Sequence, residues 1–543
     1  MKTMLLQLLA FGLALNCRAQ TQEEQRIKID AFLRHTQQLN KFNGTVLIAQ
    51  KDKIIFQKGY GFLNAEKKIT NDPNSIFQIY SITKTFTSTL VFQLIEQHKL
   101  TLTDKLSQFY PQFPNGDRIT IEHLLTHTSG INDNADQASA PETEEYRVAL
   151  FGRNKPNFAP GEGWAYCNGG YQLLGYIIGR VTGMPYEAAI RKYIFTPLQM
   201  TNSGFDFKNL NSPHKTTAYS VFQNHTKKLA SLYDSTGPFA AGSIYSTVGD
   251  LYKYYEGLSR YQVISQSSFE QATTPGKTNS GYGYGWQLNN QILNKKVISH
   301  SGGAAGFRSN FAMIPEDSIC IAILNNHENA SPEYLTKRIV EILNNVPFEV
   351  PADVKLPLAI LQKLTGLYSI KEPHAMLITI SILDSRLALA IGNQAPTPLL
   401  AKNETTFLHE EAEATLQFQP SNTEKPGSIT VNQGTRQMIA KRVEPSWGLL
   451  GDALPKGWDD SKADIPLIEQ KKNIWVLPSV TLAKGLILFR LNNDWAIHYG
   501  DTGMDGILDK NGENIKVEDG TYTLTLDLRD SAKPIYRLKL VKK

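Results

Sequence analysis

The spacing of apolar positions changes several times along the chain. From Thr21 to about Phe42, Ile27, Ile29, Phe32 and Leu33 make a stripe on an otherwise polar segment, which predicts a helix. Two strand-like runs follow, GTVLIAQ at 44–50 and KIIFQKGYGF at 53–62, joined by Lys51-Asp52 in a hairpin pattern. Helical spacing then dominates to about residue 260, and within it Phe86, Leu90, Val91, Leu94 and Ile95 form one apolar face. Strands return late, as KKVISHSG (295–302), FRSNFAMIP (307–315) and SICIAILNN (318–326), before a closing helix, PEYLTKRIVEILNN, that ends near Asn345. Strands at both ends with helices between predict one α/β domain, its sheet assembled from both ends around a helical insertion.

NVPFEVPADVKLPL (345–358) carries three prolines and reads as a linker over 346–358. Beyond it the period shortens to two. Residues 359–442 alternate in short runs (MLITISIL, RLALAIG, ATLQFQP, GSITVNQG), the pattern of a β-meander or small barrel. The last stretch, 443–543, is again strand-like and holds four of the six tryptophans, which predicts a β-sandwich.

A length of 543 residues exceeds one compact core, so two to four domains are expected. Hydrophobic residues at 41% and charged ones at 20% fit a globular protein. The first residues differ: Lys2, an apolar run from Met4 to Leu15, then small and polar residues to Ala19 predict an export signal over 1–19. A periplasmic location follows from that reading; an outer-membrane lipoprotein acylated at Cys17, or a secreted protein, are the alternatives. Losing Lys2 and Arg18 takes the formal charge from +5 to +3, too mild and too scattered to argue for nucleic acid. No later run predicts a transmembrane segment. Cys167 and Cys320 then remain, too few for a disulfide framework, and their pairing is left open. The histidines show no metal-ligand spacing, and no metal or cofactor is expected.

Ser81 and Lys84 stand three apart at the start of the strongest helical pattern, so the amine lies one turn above the hydroxyl on the same face. Ser212 and Lys215 share the spacing, but Pro213 and a turn-rich context give that pair no helix. A serine hydroxyl needs a base, and a lysine becomes one only when burial or a neighbouring cation lowers its pKa.

The stretch IFQIYSITKTFTSTLVFQLIEQHKLTLTDKLSQFYPQF (76–113) closely resembles the nucleophile region of the serine β-lactamase-related family, which includes class C β-lactamases, penicillin-binding D,D-peptidases, D-aminopeptidases and esterases. ITIEHLLTHTSGI (119–131), FAPGEGWAYCNGGYQLLGYIIGRVTG (158–183) and SHSGGAAGFRSNFAMIP (299–315) resemble further family motifs in the right order. The resemblance covers about residues 25–345. It implies a β-lactamase/transpeptidase-like α/β domain over 20–345, an antiparallel sheet flanked by helices with a helical lobe, ahead of the two small all-β domains. It also implies that Ser81 is acylated, that Lys84 is its base and that Tyr166 passes protons. Asn168 would hydrogen-bond the lysine and the substrate, with His300 and Ser301 lining the substrate strand. The backbone N–H groups of Ser81 and Gly303 would form an oxyanion hole, with glycine at 303 allowing close backbone approach.

Class C β-lactamases carry lysine where this chain has His300. A largely neutral histidine that donates a hydrogen bond attracts a substrate carboxylate less than a fixed cation does. Esters, amides or D-amino-acid peptides are therefore expected over β-lactams; a true class C β-lactamase or D,D-carboxypeptidase is the alternative. Residues 359–442 resemble small lipocalin-like domains. WGLLGDALPKGWD (447–459) and GLILFRLNNDWAIHYGD (485–501) resemble SusE/SusF-type domains. That likeness implies that Trp458, Trp495 or Tyr499 stack on a glycan; the competing expectations are that they fill a core, and that the whole chain is a non-catalytic glycan-binding envelope protein.

Overall fold

A computed structural model of the protein describes residues 22–134, 141–222, 226–279, 281–371, 376–392, 394, 396–421, 425–530 and 533–542. The expected export signal at 1–19, with Cys17, lies outside these residues. The chain divides into two compact units, one ending at Val350 and the other beginning at Pro351.

The first unit is built on five strands: β1 (Gly44–Gln50), β2 (Lys53–Tyr60), β3 (Ile298–Ala304), β4 (Phe307–Ile314) and β5 (Ile319–Asn325). They form one antiparallel sheet in the order β3-β4-β5-β1-β2, so the two ends of the segment meet where β1 pairs with β5. Lys51 and Asp52 both take positive φ, 51° and 59°, as a two-residue hairpin turn requires. Strand alternation gives the sheet two apolar faces. Val46, Ile48, Ala312, Ile314, Ile321 and Ile323 pack against the helix at residues 22–38 and the helix Pro332–Leu343. Leu47, Ala49, Phe311, Met313, Ala322 and Leu324 face the inserted helical region instead.

The first long helix of that insertion, Thr83–Glu96, departs from the expected one-sided stripe, because every residue from Thr83 to Leu94 is buried. Its polar side is made of small hydroxyl residues that find partners inside the protein: Thr87 donates to the Ala240 carbonyl at 2.7 Å and Ser88 to the Tyr284 carbonyl at 2.5 Å. Enclosure is tolerated since each hydroxyl replaces its water with a protein acceptor.

In the second unit a nine-stranded path begins at Thr397–Pro398 and ends at Leu400–Ala401. Those two ends are one chain segment broken only at Leu399, whose N–H donates to the Leu387 carbonyl at 2.7 Å. The sheet therefore closes into a barrel filled by Tyr368, Phe407, Leu416, Phe418 and Ile429. Closure removes the edges an open meander would expose. Residues 447–542 form two further sheets around Trp447, Leu449, Trp475, Phe489 and Leu524. Leu367 and Leu377 of the barrel belong to that same core, which joins the two β regions into one compact unit.

Candidate active site

Ser81 lies in a 3-10 turn, Tyr80–Ile82, that runs into the helix Thr83–Glu96. Tyr80 holds φ +44°, a costly value for a bulky residue, so the nucleophile is presented from a strained turn. Lys84 sits in the first α-turn with no exposed surface. Its Nζ is 3.1 Å from Ser81 Oγ, 2.8 Å from Asn168 Oδ1 and 2.9 Å from the Ala241 carbonyl oxygen. Tyr166 and Tyr171 place their rings 4.8 and 5.6 Å from the same nitrogen. Among the described residues no carboxylate pairs with it, and burial pulls its pKa down from 10.5 to about 7, against weaker upward pulls from Asp133 and Cys167. Burial, rather than a neighbouring cation, is the cause. A neutral amine has two hydrogens and one lone pair. Two carbonyl-type oxygens can only accept, so they take the hydrogens and leave the lone pair for the Ser81 hydroxyl.

Asn168 is the first residue of the helix Asn168–Thr182, whose N-cap is Cys167; the thiol accepts the Gly170 N–H at 3.3 Å. Asp133 accepts the next N–H, Gly169, at 2.8 Å. This double anchoring aims Asn168 at Lys84 from 84 positions away in sequence. Tyr166 leaves 38% of its surface exposed, so it lines the open side of the site. Around its hydroxyl the protein is close, and that burial raises the phenol's pKa, with a hydrogen bond to Ser81 acting the other way.

β3 runs beside the nucleophile turn. A Cβ added to Gly302 would stand 2.0 Å from the Ile79 carbonyl oxygen, so the backbone contact that demands glycine is at 302; at Gly303 an added Cβ would meet only the Arg308 side chain, at 2.9 Å. Gly303 is exposed at the strand's end. His300 corrects another expectation. It is buried, its Nδ1 is 2.7 Å from the Ser301 carbonyl and its Nε2 3.0 Å from the Tyr282 hydroxyl. Because a carbonyl only accepts, Nδ1 carries the hydrogen and Nε2 accepts from Tyr282. Both nitrogens are used inside the protein, and neither is offered to a substrate. Burial and the Lys84 charge push its pKa down to about 3, so the ring is neutral. Ser301, half-buried, donates its N–H to Gln287 Oε1 at 3.1 Å. Ser212 and Lys215 make no such pair: the Ser212 hydroxyl accepts the N–H of His214, while Lys215 donates to the Lys208 carbonyl.

The Beta-lactamase family profile matches residues 29–344, more than half of the chain. The chain belongs to the beta-lactamase family. Penicillin-binding protein 4* of Bacillus subtilis (strain 168) is 30% identical over 412 residues, which span 70% of this chain and 90% of that protein. An octameric penicillin-binding protein homologue from Pyrococcus abyssi superposes with a TM-score of 0.55 at 25% identity, covering 76% of this chain and 99% of that one. A D-amino acid amidase from Ochrobactrum anthropi SV3, solved with L-phenylalanine amide, shares the fold with a TM-score of 0.53 at 20% identity, covering 59% and 99%.

Several residues of this beta-lactamase-family site carry no legible sequence signal. The Ala241 carbonyl is backbone, and Tyr171, Tyr282 and Gln287 are ordinary residue types at no distinctive spacing. His127, within the HTSGI stretch, accepts the Cys167 N–H at 3.0 Å, and its ring lies 4.4 Å from that of Tyr166, tilted by 39°. Among the described residues no group of three or more His, Cys, Asp or Glu side chains is arranged to hold a metal. Cys167 and Cys320 are both buried free thiols.

The three aromatics singled out in the last stretch separate. Tyr499 is only 7% exposed and stacks on Trp447 at 5.3 Å, so it fills the core. Trp495 is 40% exposed; Asp460 accepts its indole N–H at 2.8 Å, and the Arg490 guanidinium lies 4.8 Å from its ring. Trp458, half-buried, is tilted 31° to Trp495 with ring centroids 6.5 Å apart.

Proposed function

We propose that this member of the beta-lactamase family is an exported serine hydrolase that works through an acyl-enzyme on Ser81. The observation that carries the reading is the fully buried Lys84 amine, uncharged for about half of the molecules near pH 7 and in reach of the Ser81 hydroxyl. In the acylation step Lys84 Nζ takes the hydroxyl proton as Ser81 Oγ bonds to the substrate carbonyl carbon. The backbone N–H groups of Ser81 and Gly303 stabilise the oxyanion. The proton then travels through the Tyr166 phenol to the leaving alkoxide or amine as its bond to carbon breaks. Water attacks the ester in the second half, its proton returning by the same groups.

Neutral His300 supplies no cation for a substrate carboxylate, which supports esters, amides or D-amino-acid peptides as substrates in preference to β-lactams. Labelling by a fluorophosphonate, abolished in Ser81→Ala, is the expected result, together with faster turnover of a short-chain p-nitrophenyl ester than of a chromogenic cephalosporin. Undiminished labelling of Ser81→Ala refutes the nucleophile, and fast cephalosporin turnover with negligible esterase activity refutes the substrate preference.

The name of the 30% identical relative favours a second reading, a penicillin-binding D,D-carboxypeptidase. Stable labelling by a fluorescent penicillin, competed by a D-Ala-D-Ala peptide, distinguishes it. The exposed Trp495 supports a sugar contact in the second unit; retardation in starch-containing gels, lost in Trp495→Ala, is its test.

A further inference from the structure

His127 has no part in the steps above, yet it is costly to keep. It is 1% exposed and holds φ +60°, a left-handed value that histidine adopts at the expense of stability. Its Nδ1 accepts the Cys167 N–H at 3.0 Å, so the neutral ring carries its hydrogen on Nε2. That Nε2 has no hydrogen-bond partner among the described residues. Around the ring stand Tyr166, Tyr282 and Tyr171, with centroids 4.4, 4.7 and 5.2 Å away. A buried donor left unsatisfied weakens a fold, and a phenylalanine would fill the same space without that cost. What the imidazole adds is an acceptor for one amide, and that amide lies between the two residues that address Lys84.

We propose that His127 is a positioning residue for proton transfer: by accepting the Cys167 amide with its ring against Tyr166, it holds the phenol and Asn168 on Lys84. The inference rests on the reading of Ser81, Lys84 and Tyr166 given above. The Cys167 N–H lies in the stretch that joins those two side chains, and the helix beginning at Asn168 is fixed further along by Asp133 and the Cys167 thiol. Without the acceptor, residues 166 and 167 lose the fixed point between the Ala165 N–H, which donates to the His127 carbonyl at 3.1 Å, and the helix start, and they can turn between those two ends. A Tyr166 ring that turns away from its place 4.8 Å from Lys84 Nζ also admits water to the amine, whose depressed pKa comes from dehydration. Tyr166, Tyr171 and Tyr282 face the ring as neutral phenols, and protonation of His127 is disfavoured by burial first and then by Lys84 and His300, against a weaker upward pull at Cys167, so the anchor stays in its accepting form.

Two substitutions separate acceptor from filler. His127→Phe keeps the ring and removes the acceptor. His127→Asn removes the ring, keeps an acceptor oxygen near the Nδ1 position and suits positive φ. Both are measured in the full chain by fluorophosphonate inactivation, with kinact and KI resolved and followed from about pH 5.5 to about 9.5, a window that brackets the lysine. The expected result is a fall in kinact of about fiftyfold or more for His127→Phe, KI within about threefold of wild type, and an acid limb moved up by about one pH unit, with His127→Asn within about fivefold of wild type. The inference is overturned if His127→Phe keeps kinact within about threefold and its pH profile, or if His127→Asn is as impaired as His127→Phe. Should His127→Phe not fold, His127→Asn decides alone, rescue supporting the inference and a loss of about fiftyfold overturning it. If wild type is labelled and only these variants contradict expectation, the inference alone falls; an unlabelled wild type removes it together with the proposed function.

Discussion

Replacing Asn168 by aspartate changes one group 2.8 Å from Lys84 Nζ from neutral to anionic with almost no change of shape. Asp is well tolerated at the first residue of a helix, where the macrodipole favours negative charge, so the fold is expected to persist. Coulomb's law at 2.8 Å and an effective dielectric near 20 gives about 6 kcal/mol of attraction for the ammonium form, an upper bound. Opposite charges this close in proteins shift pKa values by roughly one to three units, of which about two is the middle. The sign is unambiguous: the new charge stabilises protonated Lys84, raising its pKa from about 7 to roughly 9. Since only the neutral amine accepts the Ser81 proton, the competent fraction at pH 7 drops from about one half to about one hundredth. The second-order rate of fluorophosphonate labelling at pH 7 should fall roughly fiftyfold and recover towards the wild-type plateau as pH approaches about 10. An Asn168→Asp enzyme equally slow at every pH would refute the reasoning, because it would mean that Asn168 orients substrate without tuning the base.

Tyr166→Phe should keep the fold and lower ester turnover by about 10²- to 10³-fold with KM little changed, the usual size of a lost proton-transfer group; turnover within about tenfold of wild type would remove Tyr166 from the shuttle. Gly302→Ala should lower labelling by at least about a hundredfold and lower Tm, because its Cβ would stand 2.0 Å from the Ile79 carbonyl and push β3 off the nucleophile turn. Gly303→Ala, which meets only a flexible arginine, should be milder than Gly302→Ala by both measures, and the reverse order would contradict the stated geometry. His300→Lys should lose stability rather than gain penicillin labelling, since the new ammonium replaces a buried ring and loses the hydrogen bond that Tyr282 makes to it; a gain in penicillin labelling with unchanged Tm would contradict it.

Much of the catalytic unit is legible in the sequence because its determinants are local. The three-residue spacing of Ser81 and Lys84 places both on one helix face, and strand alternation in GTVLIAQ and SICIAILNN sets the two faces of the sheet. Legibility ends where the partner is backbone or distant. No pattern announces that the Ala241 carbonyl takes one Lys84 hydrogen or that Tyr282 occupies His300. Enclosure of the helix Thr83–Glu96 is hidden because threonine and serine read as polar until their hydroxyls are seen bonded inside. Barrel closure depends on Leu399 bridging two strands, which alternation cannot express. A two-residue period puts Trp495, Ile497 and Tyr499 on one face, but the pairing register shifts between Arg490 and Leu491, and only Ile497 and Tyr499 turn inward.

The central claim is that Lys84 is an uncharged base at neutral pH. Its pKa can be read by NMR from the 13Cε shift of isotopically labelled lysine in the full chain, with Lys84→Arg identifying the resonance. The expected result is a Lys84 signal that titrates near pH 7 and shifts upward in Asn168→Asp; one that stays in its protonated position until above about pH 9.5 in the wild type would show that Lys84 is charged and no base.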